Sequence, residues 1–157
     1  MIREWRSLFA SCLVGLVVTI GGASAAAGAD VSVDAVVVEP ASPGPSTLCR
    51  LKVRLKNGGV GAISNFRFGV KIGGQDVAVY KNQSYAANID AGKTDELALY
   101  SFYAPAAPNA FDVQVTLLEA EWVQVKKEAS ATTTTPTGPV AGLPVSASTS
   151  IKMSGGK

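Results

Sequence analysis

The sequence contains no histidine. That removes the commonest general base and the commonest transition-metal ligand together. No Ser–His or Cys–His nucleophile pair can be assembled. Cysteine is scarce as well, with only Cys12 and Cys49. Cys12 lies in an N-terminal segment expected to be removed, so Cys49 is left without an internal disulfide partner. A fold without that cross-link has to be held by its core. Neither sign of charge is in large excess: 14 basic residues face 12 acidic ones, a formal net charge of +2. Removing Arg3, Arg6 and Glu4 with the leader leaves 12 against 11, a net charge of +1. That balance makes no electrostatic case for nucleic acid or an anionic membrane. The apolar run from Leu8 to Ile20 is short of the roughly 20 residues a spanning helix needs.

What the N-terminus does have is the three-part layout of a secretory signal. Arg3 and Arg6 give a positive start, Leu8 to Ile20 an apolar middle, and Ala23 to Ala29 a small-residue end after Gly21-Gly22. Small-x-small patterns allow cleavage after Ala25, Ala27 or Ala29. Cys12 is not read as a lipidation site, because the apolar run continues past it. Residues 1–29 are therefore predicted to be a signal peptide. The mature chain is expected to be extracytoplasmic, whether periplasmic, cell-surface or secreted, with no stable membrane insertion after cleavage.

The mature chain is patterned for strands. Hydrophobic residues make up 47% and charged residues 17% of the sequence, which fits a domain with a buried core. Val31, Val33 and Ala35 alternate with Ser32 and Asp34. Cys49, Leu51, Val53 and Leu55 alternate with Arg50, Lys52, Arg54 and Lys56. A period of two with one apolar and one basic face describes a strand between a core and water. Asn57-Gly58-Gly59 supplies a turn. Phe66, Phe68, Val70 and Ile72 form the next apolar stripe, and Gly73-Gly74 turns the chain toward a strand from Val77 to Tyr80. Glu96 to Tyr103 is β-rich and closed by Pro105 and Pro108. Phe111, Val113, Val115 and Leu117 form another stripe, with Trp122, Val123 and Val125 extending it past an irregularity near Leu118.

From Ala129 to Pro144 the composition turns to Ala, Ser, Thr, Pro and Gly. This segment is predicted to be a linker or long loop. Val145, Ala147, Thr149, Ile151 and Met153 then alternate with polar residues, predicting a last strand within residues 145–157. The whole reads as all-β: an immunoglobulin-like sandwich of about seven antiparallel strands, preceded by the signal peptide, with its main body over residues 30–128. The expected core is Val33, Val36, Leu51, Val53, Leu55, Phe66, Phe68, Val70, Leu97, Leu99, Phe111, Val113, Val115 and Leu117.

The order of motifs resembles a known family. Asp30-Val31-Ser32-Val33, the Pro-rich turn, Lys56-Asn57-Gly58-Gly59, Phe66-Arg67-Phe68 and Gly73-Gly74 come first. Ile89-Asp90-Ala91-Gly92-Lys93, Tyr103-Ala104-Pro105 and Phe111-Asp112-Val113-Gln114-Val115 follow. Together they resemble the CARDB domain, an immunoglobulin-like module named for bacterial cell adhesion, over roughly residues 30 to 118. After Leu117 the sequence departs from it, since Glu119 to Val125 and the threonine-rich segment replace a short acidic turn. The resemblance implies an extracytoplasmic structural or adhesive module and carries no catalytic residues with it.

Among surface features, the row Arg50, Lys52, Arg54 and Lys56 stands out, with charges about 7 Å apart along one strand face. It is the predicted binding face for an anionic polymer such as an acidic polysaccharide. The competing and preferred reading is a solvated face paired with carboxylates such as Asp95 or Glu96. Cys49 is in phase with the core stripe and reads as a small hydrophobe. Asp90, Asp95 and Glu96 lack the dense oxygen-rich loop that calcium requires, so neither metal nor cofactor is expected. Asn82-Gln83-Ser84 matches a glycosylation sequon. Trp122, Tyr80, Tyr85, Tyr100 and Tyr103 read as packing residues rather than a sugar platform, because they form no compact cluster in the sequence. The function expected is a non-catalytic exported binding or structural module of the bacterial cell envelope or exterior. Its partner would be a protein or a cell-envelope polysaccharide. The alternatives are a carbohydrate-binding accessory protein and an assembly subunit using its C-terminal strand.

Overall fold

A computed structural model describes residues 30–81 and 88–155. The predicted signal peptide, the Asn82-Gln83-Ser84 sequon, Tyr85 and the side chain of Tyr80 lie outside the described residues. Eight strands form two antiparallel sheets, and no described residue is helical. The strands are β1 (Val31–Glu39), β2 (Leu48–Asn57), β3 (Ala62–Ile72), β4 (Gln75–Lys81), β5 (Thr94–Tyr103), β6 (Ala110–Lys127), β7 (Thr132–Pro139) and β8 (Val145–Lys152). The smaller sheet runs β1-β2-β5. The larger runs β4-β3-β6, and both β7 and β8 pair with the far side of β6.

The alternation read from sequence is the reason the two sheets close on one another. Along β2, Cys49, Leu51, Val53 and Leu55 are buried, while Arg50, Arg54 and Lys56 are exposed. Phe66, Phe68 and Val70 of β3, and Phe111, Val113, Val115 and Leu117 of β6, meet them from the other layer. Each large apolar side chain taken from water in this way stabilises the fold by about 1.5–3 kcal/mol. Phe102 of β5 and Phe111 of β6 meet edge to face, with ring centroids 6.1 Å apart, one bridge between the layers.

Twelve of the fourteen expected core residues are buried. The other two, Val36 and Leu99, are only partly buried against the core. Each lies beside a break in register. One falls between Val33 and Ala35 in the β1–β2 pairing, the other between Leu51 and Lys52 in the β2–β5 pairing. A bulge inserts a residue and shifts the phase of those that follow, which leaves Leu99 unpaired at one break and turns Val36 inward, opposite buried Val53, after the other. Ile63 and Ile89, which lie outside the regular stripes, are also buried. They form a two-residue bridge in which each N–H donates to the other's carbonyl at 3.0 Å.

The linker expected over residues 129–144 is corrected by the structure. It contains strand β7, whose Thr132–Thr135 pair with Lys127–Gln124 of β6. Threonine is β-branched and favoured in strands, and a ladder of main-chain hydrogen bonds does not require an apolar stripe. After β7 the chain leaves the ladder over residues 140–144, where Val140 is buried and its N–H donates to the Ala120 carbonyl at 2.9 Å. It then returns to the same side of β6 as β8, from Leu117↔Val145 to Ala110↔Lys152. The larger sheet therefore continues through β7 and β8 to Lys152. The predicted C-terminal strand is β8, paired with β6 of its own chain.

Candidate functional site

β2 runs down the middle of the small sheet and turns its basic residues outward. Cross-strand register fixes their neighbours. Arg50 lies between Glu39 of β1 and Ser101 of β5, and Lys52 between Val37 and Ala98. Arg54 lies between Ala35 and Glu96, and Lys56 between Ser32 and Thr94. The side-chain pairing is diagonal rather than straight across. Lys52 Nζ is 2.9 Å from Glu39 Oε1 and 3.6 Å from Glu96 Oε1. Arg54 Nη2 is 3.4 Å from Glu96 Oε2. The hydrogen bond to Glu39 is the largest influence on the Lys52 ammonium and raises its pKa; desolvation opposes it, and the charges of Glu39 and Glu96 add to the rise.

The four predicted site residues are thus on one face, as expected, but they are not equivalent. The centre of the row is neutralised by two carboxylates. Glu96 is one of the partners expected from sequence. Asp95 is not, because its Oδ1 accepts the Glu96 N–H at 2.8 Å. Glu39 is not among the partners the sequence points to, since its place opposite Arg50 depends on the β1–β2 register. Because Lys52 takes Glu39, Arg50 has no ion pair among the described residues, and Lys56 has none either.

The corner around Arg50 has three further features. Leu48 and Tyr103 are register partners on the same outer face and are 51% and 71% exposed. They stand two residues along the strands from Arg50 and Ser101. Next to them is an open groove of about 480 Å³ lined by Arg50, Leu51, Lys52, Ala98, Leu99, Tyr100 and Ser101. The groove exists because β5 presents small residues, Ala98 and Ser101, opposite long basic ones, and because its bulge falls between them. β5 is also the last strand of its sheet. The sequence missed this corner because Leu48 and Tyr103 are 55 positions apart and only the β2–β5 register joins them.

The other residues singled out from sequence fall elsewhere. Cys49 is buried, and its thiol lies 3.5 Å from the Thr47 carbonyl oxygen. Burial pushes that thiol's pKa up, partly offset by a backbone hydrogen bond at Ala104. Trp122 packs over Gly59 and Gly61. Tyr100 stacks against Phe102, with ring centroids 6.3 Å apart. A second groove, of about 450 Å³, lies on the larger sheet between Lys71, Gly74, Asp112, Gln114 and Ser148–Ser150. Among the described residues no three His, Cys, Asp or Glu side chains come together as a metal-holding group. No protein-family model matches the chain, and no curated protein matches it.

Proposed function

We propose that the chain is an exported, non-catalytic binding or structural module of the bacterial cell envelope or exterior, and that it engages its partner through the outer face of the small sheet. The observation that carries this reading is the pairing of Leu48 with Tyr103. Two large apolar side chains stand side by side in water, next to a groove and a cation without a carboxylate. Single exposed apolar residues need no explanation, but a pair beside such a groove is the makeup of a contact surface. The secretory layout of residues 1–29 and the CARDB-like motifs over roughly residues 30 to 118 support the extracytoplasmic part of the reading.

The test is site-specific photo-crosslinking in the cell that exports the protein. A photoreactive residue in place of Tyr103 is expected to give a discrete adduct in the extracytoplasmic fraction. The same residue in place of Thr94, at the other end of β5, is expected to give none. Equal labelling from both positions, or recovery of the chain only from the cytoplasm with Met1 retained, would overturn the proposal.

A further inference from the structure

We infer that the corner formed by Arg50, Ser101, Leu48 and Tyr103 binds a carboxylated sugar, a uronate unit of an acidic polysaccharide. The inference rests on the binding-module reading above and names the ligand class. Arg50 offers a planar fork of N–H donors, the geometry that recognises a carboxylate in two parallel hydrogen bonds. It is available because its register partner Glu39 is taken by Lys52 at 2.9 Å. On its other side stands Ser101, whose short side chain leaves the groove open. Two residues further along each strand, on the same face, Leu48 and Tyr103 supply an apolar and aromatic surface. A sugar ring has an apolar C–H face that lies against such a surface. A uronate joins that face and a carboxylate in one unit, and a polysaccharide repeats it along the groove.

The same observations disfavour an added peptide strand. The groove and the exposed pair lie on the sheet face and not along its edge. The edge itself is interrupted by the bulge at Leu99, and bulges are a means by which edges resist pairing. Charge selects among polysaccharides. The central cations of the row are already paired, so the corner is a local carboxylate site rather than a broad polyanion track.

The experiment is titration calorimetry of the processed full chain with oligogalacturonate, oligomers of alginate and hyaluronan, and with methyl-esterified oligogalacturonate as the neutral counterpart. At least one acidic oligomer is expected to bind. Arg50→Gln and Tyr103→Ala should each weaken it by about tenfold or more, the effect of losing one charge-assisted contact or one stacking surface. Lys56→Gln, on the same face but at the far end, should leave it unchanged. All three substitutions are at exposed positions, and unchanged melting temperatures will show that the variants are folded. If none of the acidic oligomers binds, the inference is wrong. It is equally wrong if the methyl ester binds as well as the acid, or if Lys56→Gln costs as much as Arg50→Gln. Selection from a displayed random-peptide library that yields acidic peptides dependent on Arg50, while the sugars fail, would replace the polysaccharide with a protein partner. A discrete crosslink from position 103 would then still stand, so failure of the sugar and failure of the binding module are separable.

Discussion

The Asn57 side-chain nitrogen donates to the Ile89 carbonyl oxygen at 2.8 Å inside the core, tying the end of β2 to a residue 32 positions later. The same nitrogen donates to the Gly61 carbonyl at 2.8 Å, and Asn57 Oδ1 accepts the Gly59 N–H at 3.0 Å. Asn57 is fully buried, and one amide thus satisfies three backbone groups at the turn between β2 and β3. Asn57→Ala leaves the Gly61 carbonyl and the Gly59 N–H without this partner, while the Ile89 carbonyl keeps the Ile63 N–H, and is expected to cost about 2–4 kcal/mol, since each buried orphan costs about 1–3. Asn57→Asp should be no better, because a carboxylate cannot donate to two carbonyls. Chemical denaturation of both variants is the check. A loss below about 0.5 kcal/mol would mean the turn is held by other bonds.

Gly59 is fixed by a close approach. A Cβ there would collide with Cη2 of Trp122. Gly59→Ala is expected to destabilise by about 1–3 kcal/mol, the usual cost of overpacking, and to shift Trp122 fluorescence. Gly73→Ala meets no neighbouring atom, yet its φ of +59° strains any L residue. It should cost about 1 kcal/mol without touching the fluorescence.

Cys49 should behave as a buried hydrophobe. Cys49→Ala is expected to cost about 1 kcal/mol and to leave the protein folded. The native thiol should resist aromatic disulfide reagents that label it at once in denaturant. Because burial raises its pKa, the folded state holds the proton longer than the unfolded one. That stability is fully present below the ordinary thiol value of about 8.5 and is lost as pH rises through the higher folded value. The melting temperature should therefore fall in alkali more steeply for the wild type than for Cys49→Ala. Parallel curves would show that other groups set the alkaline limit.

Deleting residues 145–157 removes β8 and with it the buried Val145 and Ile151. It also leaves Ala110–Leu117 of β6 without a partner on that side. The truncated chain is expected to be less stable and to associate, since a freed edge invites pairing. Ile151→Ala, a milder version, should cost about 2–5 kcal/mol. Hydrogen exchange on the intact chain should show protected amides between Ala147 and Ile151. Fast exchange there, with an unchanged melting temperature after deletion, would show β8 to be dispensable.

Removing a carboxylate from the basic row should matter little to stability. Glu39→Gln breaks the exposed Lys52 pair and is expected to leave the melting temperature close to that of the wild type. Its sharper effect is on Lys52. The raised ammonium pKa contributes stability that is present below the unfolded lysine value and lost as pH rises through the folded one. Nuclear magnetic resonance titration of Lys52 should show its pKa falling in Glu39→Gln.

The parts of this architecture legible in the sequence are those where burial writes a period of two. β2, the regular half of β3, the first half of β6 and β8 all carry such stripes, and Leu51, Phe68, Val115 and Ile151 end up buried along them. β7 carries none, because its threonines are mostly exposed and only its main chain is engaged. Ile63 and Ile89 escaped because a two-residue bridge is too short to show a pattern. The Leu48–Tyr103–Arg50 corner was hidden for another reason. Its basic half was visible along β2, but the loss of Glu39 to Lys52 and the approach of Tyr103 are properties of three strands in register.

The course of the chain also sets how the domain would carry load. Asp30 enters at the end of the sandwich where its carbonyl accepts the Gly58 N–H at 2.7 Å. Ser154 leaves at the opposite end, where its N–H donates to the Pro43 carbonyl at 3.0 Å in the loop after β1. A pull applied between those two points runs parallel to the strands. β1 would have to slide along β2, and β8 along β6, so each ladder resists as a whole instead of opening one bond at a time. Under such a load both sheets share the strain, the small one through β1 and the large one through β8.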